Sequence, residues 1–443
     1  MDKSMPVLGE RKEVLEEILE TMAAVKKQRD ERGNWTDEEW KEEEGLLSIC
    51  EGLECFLPTC LKNQEIEELG LGDALRRSTL SLDVIRDDIK KIIKQVNEFG
   101  FVPTPYFESR KSITGSLPEF TDTVSYVVTT LLDYYKYSKL IGLEIPDIDN
   151  IRGVIDNGIN WLLDNIHDDG GYSWGKKQFS VSHTYFTYTS AVALFEYKNN
   201  TSFNIGNEIK KRIENNLNKI GKWLISTQDD GWWSEYGSDS QGEKSPLYTA
   251  YALFAMDLIN MGEERLFISG LENILEFLKT RAKDLENPYY HTIKDEPWMV
   301  EIKYEDHTAP AITLQLLVNR YSKTKDRELR EELLDGMYIL KDILFRLRDE
   351  ETKLWRKWGY RTYVNQSALD SLLTYAFSNI FGGTEEKYTF TQSQLYGAIK
   401  DMLSQEYFIQ DLAKRISESL RVKLGMPPEE THVSEILKEL EER

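Results

Sequence analysis

Carboxylates, histidines and large aromatics gather at recurring places in this chain. Asp122, His183, Tyr188, Tyr248, His307 and Asn365 each stand at the opening of a run with helical character. Close to them lie Glu235, Asp239 and Asp306, together with Trp174, Trp232, Trp233 and Trp298. Acids set among aromatic faces suit a sugar or a cationic group. One carboxyl held protonated beside another held ionised can also hydrolyse a glycosidic bond. Asp122 and Asp306 are the candidate acids for that chemistry, with His307 as a proton relay. His183, Tyr188, Tyr248, Asn365, Trp174, Trp232, Trp233, Trp298, Glu235 and Asp239 are the binding candidates around them. A structural role competes at each position. Asp122, His307 and Asn365 stand where helix N-caps stand, and the Trp and Tyr residues recur with turns whose helix ends they would cover.

Other chemistries lack their residues. No phosphate-cradling glycine loop, Gly-x-Ser-x-Gly elbow or His-Glu-x-x-His is present, and nothing calls for a cofactor. Cys50, Cys55 and Cys60 are the only cysteines. Steps of five put neighbours about 140° apart on a helix, so the three cannot share one face, and no His lies at metal-ligand spacing. No metal site is expected, and the thiols are core or surface residues.

The elements that would carry these residues repeat. Gly/aromatic turns recur at Gly33-Asn34-Trp35, Gly100-Phe101, Asp168-Asp169-Gly170-Gly171-Tyr172, Asp229-Asp230-Gly231-Trp232-Trp233, Asn287-Pro288-Tyr289-Tyr290 and Lys353-Leu354-Trp355. Thr123, Thr189, Thr249, Thr308 and Gln366 mark equivalent positions after the turns, spaced by 66, 60, 59 and 58 residues. A first, worn copy begins near Glu44-Gly45. Such a period signals a repeat architecture. Before each turn, segments near 9–29, 82–98, 151–166, 207–226, 265–282 and 327–348 carry apolar residues at helical spacing with polar residues between. After it, runs such as Ala250 to Met256 are apolar nearly all round, as buried helices are. The unit is therefore outer helix, turn, loop, inner helix. Six units with that asymmetry predict an all-α fold, an α6/α6 toroid of two concentric helix rings. Gly170, Gly171 and Gly231 are expected at positive φ, where a helix ends and the chain reverses.

The toroid is expected over residues 1–383. Residues 384–426 read as a C-terminal helical extension. Beyond Gly425-Met426-Pro427-Pro428, residues 427–443 form a short acidic helical tail, either a terminal brace or a docking peptide. A net charge of −22 disfavours nucleic acid and anionic membrane surfaces as partners. No stretch approaches eighteen apolar residues, the first ten residues are polar, and an odd cysteine count without a secretion signal points to reduced thiols in a cytoplasm.

Gly221-Lys222-Trp223-Leu224-Ile225-Ser226-Thr227-Gln228-Asp229-Asp230-Gly231-Trp232-Trp233 resembles the Gln-Trp repeat of squalene and oxidosqualene cyclases, and the Gln…Asp-Gly-Gly-Trp repeat of protein prenyltransferase β-subunits. Trp161-Leu162-Leu163 leading to Asp168-Asp169-Gly170-Gly171-Tyr172-Ser173-Trp174 is a second, weaker copy. The resemblance covers about residues 10 to 380 as architecture and implies the same ring. It does not carry over catalysis. The class II cyclases use an Asp-x-Asp-Asp motif, and Asp147-Ile148-Asp149-Asn150 lacks its last acid and reads as a helix N-cap and loop. The prenyltransferases hold zinc with Asp, Cys and His, and the thioester proteins of related shape need Gly-Cys-Gly-Glu-Gln; neither set is present. An intact scaffold without these motifs points to a non-catalytic toroid that binds a protein partner, or a small ligand in its central cavity, as a scaffold or regulatory subunit. The alternative is an enzyme of a related toroid class acting on a polyprenyl or saccharide through cavity carboxylates.

Overall fold

In the computed structural model, the described residues are 8–35, 45–103, 119–143, 148–177, 181–200, 205–236, 245–281 apart from 263, 290–292, 303–305, 308–355 and 362–381. The chain divides into two compact units, Met1–Gly382 and Gly383–Arg443. The extension at 384–426 and the tail at 427–443 lie outside the described residues.

Within the first unit the chain alternates outer and inner helices. The first pair is α1 (Leu8–Arg32) and α2 (Leu46–Glu54), followed by three short helices, α3 (Leu57–Cys60), α4 (Asn63–Glu68) and α5 (Gly72–Ser78). Five pairs follow: α6 (Leu82–Phe99) with α7 (Thr121–Leu140), α8 (Ile148–Asn165) with α9 (Thr184–Asn199), α10 (Asn207–Thr227) with α11 (Pro246–Leu258), α12 (Arg265–Arg281) with α13 (Thr308–Lys323), and α14 (Arg327–Leu347) with α15 (Thr362–Ala376). The inner helices form a closed cycle: α2 packs on α7, α7 on α9, α9 on α11, α11 on α13, α13 on α15, and α15 on α2. This is the α6/α6 toroid that the period predicts. Two additions depart from the plain repeat. One is the set α3–α5, where Pro58 stands in the first turn of α3 and cannot extend α2. The other is a small antiparallel ribbon between α12 and α13, β1 (Tyr290–Thr292) and β2 (Lys303–Glu305).

Helix α8 shows why these segments fold as they do. Its buried residues are Ile151, Val154, Ile155, Gly158, Ile159, Leu162 and Leu163, one stripe at spacings of three and four. Arg152, Gly153, Asn157 and Asn160 between them face solvent.

The repeated turn is a clamp. Trp233 donates its indole N–H to the Leu224 carbonyl at 2.8 Å, near the end of α10, and its backbone N–H reaches Thr249 Oγ1 at 3.0 Å, in the first turn of α11. Trp355 does the same between Leu344 and Asn365, at 2.8 and 3.0 Å. Tyr172 repeats it with Leu162 and Thr187, both at 2.9 Å. All three rings are fully buried. Each therefore satisfies an orphan carbonyl at a helix end while pinning the next helix to it. The partners in the inner helices are residues 187, 249 and 365, so the true repeat positions shift by one or two from Thr189 and Gln366. Gly170 and Gly231 have the expected positive φ, 100° and 75°. Gly171 does not; it is small because a Cβ there would sit 2.5 Å from Ser182 Cβ.

Closure joins the two ends of the ring. Arg348, after α14, donates to Thr21 Oγ1 at 2.9 Å and to the Glu17 carbonyl at 3.1 Å, and pairs with the Glu17 carboxylate, all on α1. Lys341 Nζ lies 2.7 Å from Glu10 Oε1, which also accepts from the Tyr375 hydroxyl at 3.0 Å. The three cysteines are core thiols. Burial raises Cys50 and Cys55, and pushes Cys60 up to about 12, so all three stay protonated.

Trp233, not Trp232, fills the clamp. Trp233→Ala is expected to lower stability by about 3–5 kcal/mol in denaturant unfolding. Trp232→Ala, at a half-buried ring, should cost less than half as much.

Candidate active site

Two recesses contain the chemistry, one at the opening of the inner helices and one deeper among them. At the opening, His183 is the N-cap of α9: its Nδ1 accepts the Tyr185 backbone N–H at 3.1 Å. That bond puts the ring proton on Nε2, which donates to Glu235 Oε1 at 2.9 Å. Trp174, Val181, Phe186 and Tyr236 surround the pair in a recess of about 580 Å³. Tyr248 packs edge-on against the His183 ring with centroids 5.7 Å apart.

The deeper recess lies between α2, α3, α7, α9 and α15. It encloses about 180 Å³ and is lined by Glu54, Asp133, Glu196 and Asp370, with Tyr126, Tyr188, Ser125, Thr129 and Gln366 between them. Four carboxylates thus come from four different inner helices. Helical spacing places them. On α7, Tyr126, Thr129 and Asp133 fall at i, i+3 and i+7 and share one face; on α9, Tyr188, Val192 and Glu196 fall at i, i+4 and i+8 and also share one. Lys136 bridges two of the acids, with Nζ 2.7 Å from Asp133 Oδ1 and 3.3 Å from Glu196 Oε2. Gln315, on α13, donates its amide N–H to Asp370 Oδ2 at 2.7 Å.

The acids are unequal. Burial, and then the Asp133 carboxylate, raise Glu196 to about 7, against the pull of Lys136. Burial raises Asp370 to about 6, while the Gln315 bond works the other way. Glu54 is pushed well up by burial, and next by the Asp133 charge. For Lys136 burial favours the neutral amine, but the facing Glu196 and Asp133 outweigh it and hold the ammonium charged. Among the described residues no group of acids, histidines and cysteines has the arrangement of a metal site.

The sequence candidates are dispersed by this geometry. Asp122 is in the first turn of α7, although Phe120 is the N-cap; its Oδ1 accepts the Thr123 N–H at 2.7 Å, and burial raises it to about 6. Eleven residues separate it from Asp133, about 16 Å of helix. That exceeds the carboxylate separation of glycosidases, so Asp122 belongs to a different level of the ring. Trp233 and Asn365 are fully buried in the clamps and offer no surface to a ligand, which corrects their reading as binding residues. Trp232 is half-buried against the core beside its clamp. His183, Glu235 and Trp174 meet in the outer recess, and Tyr188 lines the inner one. Asp239, Trp298, Asp306 and His307 lie outside the described residues.

No family model matches the chain, and no curated protein matches it. Solved structures do. UGL, in a variant bound to dGlcA-Glc-Rha-Glc, superposes with a TM-score of 0.53 at 12% identity, covering 81% of this chain and 96% of that one. An inactive variant of the α-1,6-mannanase GH76A of Salegentibacter sp. HEL1_6, in complex with α-1,6-mannotriose, gives 0.50 at 12% identity, over 83% and 99%. A variant of the type II terpene cyclase MstE from Scytonema gives 0.43 at 12%, over 84% and 99%. At these identities the likeness is one of fold, the α/α toroid. The ring that the resemblance implied is borne out as a fold, and membership of the cyclases or prenyltransferases is not shown. Among the described residues no helix is long and apolar enough to cross a membrane.

Glu54, Asp133, Glu196 and Asp370 were all missed by reading the helix openings. Their signal was a carboxylate inside a helix otherwise expected to be buried. Each raised acid holds a proton in the folded ring that the unfolded chain releases. For Asp370 the contribution is complete below pH 3.8 and is lost as pH rises through about 6. Asp370→Asn should therefore gain thermal stability relative to wild type between pH 4 and 6, with no further gain above. Thermal melts across that range check it.

Proposed function

We propose that the protein cleaves glycosidic bonds, with its active site in the deeper recess. What carries the reading is the convergence of four unequal carboxylates on one small cavity. Asp370, raised to about 6 by burial and oriented by Gln315, is the general acid that protonates the departing oxygen. Asp133, ion-paired with Lys136, is the carboxylate that faces the developing positive charge of the sugar. The hydroxyls, the Gln366 amide and the acids of the wall match a substrate bearing hydroxyl groups. A polyprenyl chain would require a dry apolar wall, so the saccharide branch is favoured. The recess admits a single monosaccharide unit, which suggests removal of a terminal residue. The neighbours in fold that hold saccharides agree with this without establishing it. The non-catalytic toroid with a protein partner rests on the missing motifs of the cyclases and transferases, on the acidic loops at 234–246 and 291–306 and on the C-terminal helix; catalysis by these acids would need none of those motifs.

A panel of aryl glycosides tests the proposal. Wild type should turn over at least one of them. Asp370→Asn should lower kcat about 10²- to 10⁴-fold, and by less when the leaving group is a good one. Turnover that Asp370→Asn leaves unchanged, or its absence across the panel, would refute the assignment.

A further inference from the structure

The two sides of the deeper recess differ in how their charge is met. On one side Lys136 already stands between Asp133 and Glu196. On the other, Glu54 is 8% exposed, and although the Thr130 hydroxyl stands beside its carboxyl, neither Oε1 nor Thr130 Oγ1 completes a hydrogen bond. Asp370, facing it, has the Gln315 amide at 2.7 Å. Among the described residues neither Glu54 nor Asp370 forms an ion pair. Tyr126 and Tyr188 stand in the same wall.

We propose that the sugar unit seated in this recess carries an amine, an amino sugar whose ammonium lies between Glu54 and Asp370. The inference rests on the saccharide reading above. An ammonium has three donors and no acceptor, which suits an unpartnered carboxylate oxygen and the free oxygen of a second acid. The tyrosine rings add faces that attract a cation. A uronic acid would put a fifth carboxylate among four and be repelled. A neutral sugar could donate a hydroxyl to Glu54 but would leave the excess negative charge unmet. In the free protein a proton on Glu54 meets part of it, since burial, and next the Asp133 charge, push that carboxyl well up. An entering ammonium takes its place, so binding expels a proton into solution.

Titration calorimetry at about pH 7, in two buffers that differ in protonation enthalpy, reads both the affinity and the protons. The probes are glucosamine, galactosamine and mannosamine, each beside its parent hexose and its N-acetyl form, with glucuronate and 2-aminoethanol as controls. One hexosamine is expected to bind roughly tenfold or more tightly than its neutral counterparts, with net proton release. That preference should collapse in Glu54→Gln and weaken in Asp370→Asn, both near-isosteric changes. Equal affinity for a hexosamine and its parent hexose, or tighter binding of glucuronate, would overturn the inference and leave the saccharide reading standing. If 2-aminoethanol binds as tightly as any hexosamine, the saccharide reading itself fails and this one with it. Heat from none of the probes would likewise overturn it.

Discussion

A ring of hairpins must meet itself, and in this chain the meeting is the packing of α15 against α2. The other contacts in the inner ring join helices that are adjacent in repeat order. This one joins the first repeat to the last, and a polar latch on the outside holds the same seam through Arg348, Glu17 and Thr21, and through Lys341, Glu10 and Tyr375. The seam also makes the site. Glu54 belongs to α2 and Asp370 to α15, so closure is what brings these two acids to one recess. An open superhelix of the same hairpins would place them at opposite ends.

The ring can bear an unfavourable interior because three of its repeat units are secured locally by the same clamp. A buried aromatic at residue 172, 233 or 355 closes one helix end and pins the next helix, adding apolar burial and a satisfied carbonyl in a single side chain. Four crowded carboxylates work against that stability. Functional sites commonly carry such a cost, and here its size varies with pH because the acids can take up protons. Lys136 offsets part of it, on the α7–α9 side alone.

Local signals in the chain reach a long way toward this picture. The apolar stripes place the outer helices, and the period of about sixty residues counts the hairpins. The Gly/aromatic turns mark where each hairpin reverses. They do not say which of two adjacent tryptophans is buried, since Trp232 and Trp233 differ only in the direction the backbone gives them after Gly231. The candidate site was legible in part. Asp133 and Glu196 each occupy the thirteenth position of an inner helix, a recurrence visible once the helix starts are known. On α11 an acid falls one place earlier, Asp257 at the twelfth position, and it is taken up by Lys323 at 2.7 Å as a structural pair.

Helical period, turn chemistry and repeat length are properties of residues close in the chain, and the sequence by itself determined them: twelve principal helices, their amphipathic faces, and the toroid that such faces can close. Which polar residues line the hollow, which are absorbed into clamps, and which acids share a charge environment depend on contacts across many tens to hundreds of residues. His183 and Glu235 stand 52 residues apart, and the residues of the Glu10–Tyr375 bond 365 apart. Electrostatic interaction falls off with distance in space and not along the chain. The unequal acids of the recess therefore come into being only when the ring closes.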